Sequence, residues 1–178
     1  MAKGKGKGSA FERKICNQLS LWWSNGTNDN IFWRTAGSGA RATVRAKKRG
    51  GFQKHGGDIC AIDPIGEPLL KQFAIELKVG YNRVTIFDCM DAPASYKPQM
   101  FQQWVEQAKE SQTQTNSKYW MLITQRTRRR AMVWLPSQMS CSFPLNRFID
   151  VAMPKMHIIG MPLSIFLDFN TPQDFGAL

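Results

Sequence analysis

Asp58, Glu76 and Lys78 are the residues whose types and spacing best fit a chemical task. In Phe73-Ala-Ile-Glu-Leu-Lys-Val79, Phe73, Ile75 and Leu77 alternate with Ala74, Glu76 and Lys78. Successive side chains of a strand point to opposite faces, so Glu76 and Lys78 emerge together. Asp58 opens a second apolar run, directly after Gly56-Gly57, where a sharp approach would aim its carboxylate at the same face. Two carboxylates about 4 Å apart repel by about 1 kcal/mol in water and about 4 kcal/mol at an effective dielectric near 20. A cation relieves that repulsion. Mg2+ takes octahedral oxygen ligands with one or two carboxylates, leaving positions for water and phosphate oxygens, and Mn2+ is expected to substitute for it. Such an ion activates a water for attack on phosphorus, and Lys78 would orient the nucleophile or neutralise developing charge. The same three residues would also suit a hairpin whose charges are simply solvated, so their surroundings decide between the readings.

Those surroundings begin with an amphipathic segment from Ser9 to about Ser24, with Phe11, Ile15, Leu19 and Trp22 or Trp23 at helical spacing and Gly26 at the C-cap. It carries Glu12, and Ser9-Ala-Phe-Glu12 also reads as a capping box, in which Glu12 merely closes the helix start. Ile31 to Thr35 reads as a short strand. Ala36 to Gly57 holds six glycines and six lysines or arginines without one acidic residue, and reads as a basic loop. Asp58–Asp63 and Leu69–Val79 read as two strands of a β-hairpin reversed through Pro64-Ile-Gly-Glu-Pro68. Met100, Phe101, Trp104, Val105 and Ala108 mark a second amphipathic helix ending near Ser111. Tyr119–Thr124 and Ala131–Leu135 read as two further strands, with Arg126-Thr-Arg-Arg-Arg130 at a solvent-facing turn. Beyond Pro136 the pattern weakens, with Leu163–Phe169 as a late strand.

The 178 residues suffice for one ordinary core: a basic tail over 1–8, disordered in the free protein, then a single domain over 9–178 with its core at about 9–136 and a C-terminal extension at about 137–178. Lysine and arginine outnumber aspartate and glutamate by 24 to 13, for a net charge of +11, which makes a polyanion the leading partner. No apolar run approaches the roughly 20 residues of a membrane span, and no export signal heads the chain, so a soluble, cytoplasmic protein without a membrane partner is expected. Cys16, Cys60, Cys89 and Cys141 form no C-x-x-C pair and read as buried reduced thiols, and with only His55 and His157 no zinc-finger ligand set is visible. The Lys-Gly repeat of the tail lacks the Gly-Lys-Ser/Thr of a phosphate-binding loop.

Gly8-Ser-Ala-Phe-Glu-Arg-Lys-Ile15, Arg34-Thr-Ala-Gly-Ser-Gly39, Asp58-Ile-Cys-Ala and Glu76-Leu-Lys78 follow one another in an order that resembles the archaeal-type Holliday junction resolvases of the PD-(D/E)xK nuclease superfamily. The resemblance covers about residues 8 to 80. It implies an α/β fold with a mixed central sheet flanked by helices, restriction-endonuclease-like, a homodimer, and Mg2+-dependent cleavage of four-way DNA junctions. By matching position it makes Asp58 and Glu76 metal ligands, Lys78 a catalytic residue, Glu12 the further member of the acidic site, and Arg13 and Arg34 phosphate contacts. Two departures stand out: Gly57 occupies the position where the superfamily name has proline, and the loop between Arg34 and Asp58 is long for the family.

Arg41, Arg45, Lys47, Lys48, Arg49 and Lys54 in that loop, and Arg128, Arg129 and Arg130 in the later turn, are expected to bind DNA, since a run of cations without countercharge is costly unless phosphates neutralise it. A lone loop histidine, His55, is expected to be polar filler, and Asp63, beside Pro64, to belong to the turn. Trp22, Trp23, Trp104, Trp120 and Trp134 are expected in the core or a dimer contact, and Gln103 and Gln107 remain without a role. The leading reading is a structure-selective DNA endonuclease acting on four-way junctions. The alternatives are the same nuclease on flaps, nicks or duplex, and a non-catalytic nucleic-acid-binding protein.

Overall fold

The computed structural model describes residues 4–35, 57–93, 97, 99–144, 146–153 and 156–176. Helix α1 (Gly4–Trp23) is followed by strands β1 (Phe32–Arg34) and β2 (Ile59–Ala61), a 3-10 turn at Pro64–Gly66, the short helix α2 (Glu67–Gln72) and strand β3 (Phe73–Val79). After α3 (Phe87–Met90) and the long α4 (Met100–Thr115) come β4 (Tyr119–Gln125), β5 (Ala131–Pro136), β6 (Ile149–Met153), β7 (Met156–Pro162) and α5 (Leu163–Phe169). A five-stranded sheet runs in the order β3-β4-β5-β7-β6, and β1 pairs with β2 in a separate two-stranded ribbon. β3 and β4 are parallel, while the other neighbours in the large sheet are antiparallel. This is the expected α/β fold, a mixed sheet flanked by helices.

Strand alternation divides the core into two layers. Phe73, Ile75 and Leu77 of β3 join Met121, Ile123, Val133, Leu135, Ile159 and Met161 on one face, under Phe11, Ile15, Leu19 and Trp23 of α1 and Leu163 and Phe166 of α5. On the other face Trp120, Leu122, Trp134 and Ile158 pack against Phe101, Trp104, Val105 and Ala108 of α4. Ala74, Glu76 and Lys78 therefore belong to the α4 side, and β3 is an edge strand of the large sheet. Four of the five tryptophans expected in the core, Trp23, Trp104, Trp120 and Trp134, are buried there, and Trp22 packs against its margin.

Five elements, α1, α2, α5, β6 and β7, differ from the sequence expectation. α1 starts at Gly4, five residues before Ser9, because once a helix is nucleated on its buried face each added residue costs little. The hairpin between β2 and β3 does not form. Asp63 accepts the backbone N–H of Ile65 to start a 3-10 turn, Pro64 and Pro68 sit in first-turn positions where a missing N–H is harmless, and buried Leu69 anchors α2. Gly57, just before β2, then meets β3 through an isolated parallel bridge to Ile75. Leu163–Phe169 is a helix rather than a strand, because Leu163 and Phe166 share one face at a three-residue spacing and both are buried. β6 and β7 lie where the sequence pattern had weakened.

Phe166 is fully buried against the rings of Trp22, Phe73, Phe143 and Phe175, whereas Phe169 is exposed. Denaturant unfolding should show Phe166→Ala losing about 3–5 kcal/mol and Phe169→Ala less than about 1 kcal/mol. Equal losses would contradict the burial of Phe166 and the exposure of Phe169.

Candidate active site

Asp58 is held against the open edge of β3. Its backbone N–H donates to Ile75 O at 2.8 Å, and its Oδ2 accepts the backbone N–H of Leu77, also at 2.8 Å. From the other side, Thr35 N donates to Asp58 O and Thr35 Oγ1 donates to Gly57 O, both at 3.0 Å. So close an approach leaves no room for a side chain at residue 57: a Cβ on Gly57 would lie 2.5 Å from Ile75 O, and φ there is +92°. Proline, locked near φ −65°, has no place in that backbone, which explains the departure from the superfamily's name.

Glu76 projects from the face of the same strand that α4 covers and is 3% exposed. Its Oε1 accepts from Ser111 Oγ at 2.7 Å, and its Oε2 from Gln107 Nε2 at 2.9 Å and from Lys78 Nζ at 3.3 Å. The expected pairing of Glu76 with Lys78 on one face is thus present. Ser111 and Gln107 stand four apart on α4, one helical turn, so both reach the same carboxylate. Neither was assigned a role from sequence. Ser111 is buried and Gln107 exposed on α4, and only the packing of α4 over β3 gives the two a shared partner.

Glu12 approaches from α1. Its Oε2 accepts from Arg34 Nη1 at 3.2 Å, and the same guanidinium nitrogen donates to Ser9 Oγ. Because α1 begins at Gly4, Ser9 lies within the helix and cannot be its N-cap. The capping-box reading of Ser9 and Glu12 is therefore corrected: both side chains serve a contact with Arg34.

Three carboxyl groups feel one another here. Burial, outweighing the hydrogen bond from Leu77, pushes Asp58 above the usual carboxylate range. Glu76 and Glu12 are raised first by burial and then by the charge of Asp58. Each is thus costly to ionise without added positive charge. Lys78 offsets part of this cost at all three. Among the described residues, no three His, Cys, Asp or Glu side chains form a ready ligand cluster, so Glu12 stands beside the pair rather than within a triad. Asp58 and Glu76 nevertheless fit a hard divalent ion, which needs only one or two carboxylates and fills its remaining positions with water and phosphate oxygens.

A family model described as "Phage putative PDDEXK endonuclease" matches residues 3–161. The chain belongs to that family. No curated protein and no solved structure matches it. Membership supports the PD-(D/E)xK superfamily, the restriction-endonuclease-like fold and a nuclease, and nucleases of this superfamily generally use divalent metals. It does not single out the archaeal-type junction resolvases.

Around the nuclease's carboxylates, the other expected residues are distributed unevenly. Arg13 is exposed on α1 and donates to Ser9 O. Arg128, Arg129 and Arg130 lie exposed on the β4–β5 turn and line a cleft that also includes Lys78. Arg41, Arg45, Lys47, Lys48, Arg49, Lys54 and His55 lie outside the described residues. Asp63 caps its turn, as expected. All four cysteines are free, and Cys16 is buried with its thiol pushed up to about 12 by desolvation, but Cys60 and Cys89 are only half-buried and Cys141 is exposed, which corrects the expectation of four buried thiols. Among the described residues no helix is long and apolar enough to cross a membrane.

Gly57→Ala should lower unfolding free energy by more than about 1 kcal/mol, because it adds a side chain at positive φ against backbone; parent-like denaturation would mean residue 57 is not so confined. A second expectation concerns pH. A carboxyl raised in the folded state contributes stability that is complete below its unfolded value and is lost as pH rises through its folded value. In Asp58→Asn the amide oxygen still accepts from Leu77. Metal-free Asp58→Asn should therefore melt higher than the parent at neutral pH, by about 2–4 °C for each kcal/mol relieved. The gap should close towards pH ~4, near the unfolded carboxyl values. Calorimetry showing the same gap at every pH would contradict this account of Asp58.

Proposed function

We propose that this protein is a divalent-metal-dependent DNA endonuclease that hydrolyses phosphodiester bonds in branched DNA, with the four-way junction as the leading substrate. The observation that carries the reading is the buried Asp58–Glu76 pair, with Lys78 beside it, at the open edge of β3. Asp58 and Glu76 would hold a divalent ion such as Mg2+ or Mn2+, which would supply an activated water and charge stabilisation on the phosphoryl and leaving oxygens. Ser111 and Gln107 keep Glu76 oriented through two hydrogen bonds, leaving it little rotational freedom. Lys78 stabilises the ionised carboxylates and then, with substrate present, the negative charge that builds on the phosphate. Glu12 and Arg34 form a neighbouring ion pair that exchanges for phosphate when DNA arrives, with Arg34 turning to the backbone.

The net charge of +11 supports a polyanionic substrate. The choice of branched DNA, and of a homodimer that presents two sites to two strands, rests on the resemblance of residues 8 to 80 to the junction resolvases.

The test is cleavage of synthetic four-way junction, flap, nicked and linear duplex DNA with magnesium, beside Asp58→Asn and Glu76→Gln. Removing one of two metal ligands should abolish cutting, with at least a 100-fold fall in rate expected from the loss of electrostatic stabilisation at the phosphate, while DNA is still bound. Parent-like cleavage by both variants would sink the site assignment. Preferential cutting of flaps or nicks would replace the junction with that substrate, and a monomeric mass at micromolar concentration would remove the dimer.

A further inference from the structure

Beyond Lys78, the surface opens into a cleft of about 620 Å³ between the β4–β5 turn, the segment after β3 and the start of α4. Its lining includes the rings of Tyr81, Phe87, Phe101, Trp104 and Trp134, and the cations Lys78, Arg126, Arg128, Arg129 and Arg130, but no carboxylate. Tyr81 is 48% exposed and Phe87 67% exposed. Tyr81 is braced edge-on against Trp104 at 4.9 Å between ring centres, and Phe101 against Trp134 at the same separation.

The arginine-bearing turn is tied to the segment that carries Tyr81. Gly80 N donates to Gln125 O at 3.0 Å, Thr127 N to Asn82 Oδ1 at 2.8 Å, and Gln125 Nε2 to Arg129 O at 2.7 Å. Within it Arg128 takes a left-handed backbone, φ +60°. Among the described residues, no carboxylate pairs with Arg126, Arg128, Arg129 or Arg130. Exposed rings and uncompensated guanidinium groups thus share one built wall, next to the lysine of the candidate active site.

We infer that this cleft binds an unpaired nucleotide of the DNA, its base stacked on Tyr81 or Phe87 and its phosphates held by the arginines of the β4–β5 turn. The inference rests on the nuclease reading for its ligand and deepens it by naming the substrate class: DNA with an unpaired stretch adjoining the cleaved bond, whether a flap, an overhang or an opened branch point. A paired base offers its face only to its neighbours in the stack, whereas an unpaired one can lie on an exposed ring, and every base has such a face. Arginine adds bidentate contact to phosphate and stacks on aromatic planes. An apolar ligand would leave the cations without partners, and a simple anion would leave the rings exposed. A nucleotide uses both.

The experiment measures fluorescence anisotropy in EDTA, so that nothing is cut, with a blunt duplex and the same duplex carrying a short single-stranded overhang, 2-aminopurine marking the first unpaired position. The parent should bind the overhang about tenfold more tightly and quench the 2-aminopurine, the contribution expected of one base–aromatic stack. Phe87→Ala and Tyr81→Ala should each lose most of that preference while binding blunt duplex like the parent, and Tyr81→Phe should keep it. Replacing Arg128 and Arg129 together by alanine should weaken both probes and flatten the salt dependence, by about 0.9 in log–log slope for each phosphate no longer neutralised. Equal parental affinity for the two probes, or an equal loss on both in Phe87→Ala, would overturn the proposal. Failure to cleave any DNA would sink the nuclease reading and leave this binding result standing, so the two fail separately.

Discussion

The attachment of residues 57 and 58 to the free edge of β3 is the constraint on which the rest of the site depends. An edge strand presents unpaired N–H and C=O groups that must find partners. Here Ile75 O is used by the N–H of Asp58 and the N–H of Leu77 by the carboxylate of Asp58. One residue therefore satisfies the edge and delivers a carboxylate beside Glu76. The contact is possible only because residue 57 lacks a Cβ and takes a positive φ. A long side chain reaching from elsewhere would lose rotamer freedom on arrival; Asp58, short and attached at both its backbone and its carboxylate, loses little.

Burial makes this arrangement electrostatically expensive. Desolvation is the largest influence on Asp58, Glu76 and Glu12 alike, and Asp58 then adds like-charge repulsion at the other two. The hydrogen bonds from Leu77 and Ser111 and the ammonium of Lys78 oppose that cost without removing it. A core region gains nothing from such a cluster. A site that binds a cation does, because the repulsion is relieved when the ion enters. Ser111 and Gln107 of α4 hold the carboxylate of Glu76, and the backbone of Leu77 holds that of Asp58.

Geometry also explains how residues from opposite layers meet. Glu76 and Lys78 face α4, whereas α1 covers the other side of the sheet. They converge because β3 lies at the edge, where Asp58, Glu12 and Arg34 reach around the rim. The β4–β5 turn continues the rim and carries its arginines to the end of β3 that bears Lys78. Charge of one sign is thereby concentrated beside the carboxylate pair, as a polyanionic substrate requires.

Local pattern was enough to read α1, α4, β3, β4 and β5, because each has apolar residues at a period of 3.6 or 2 that packing then reinforces. It was enough, too, to pair Glu76 with Lys78, since strand alternation leaves no other choice. The link between β2 and β3 escaped because proline and glycine serve a tight reversal and a helix start equally well, and only Leu69 finding the core selected the helix. Glu12 was ambiguous for a similar reason: the same residues write a capping box, and the upstream start of the helix removed it. Ser111 and Gln107 could not be read at all, since a polar residue on a helix has no meaning until the strand beneath it is known. By itself, then, the sequence determined the chemical groups, their order and the faces of the elements that carry them, which are properties of neighbouring residues. Tertiary structure alone decided which groups touch, because the approach of Asp58 to β3, the cover of α4 and the closeness of the β4–β5 turn to Lys78 join residues distant along the chain, where packing rather than local preference sets the distance.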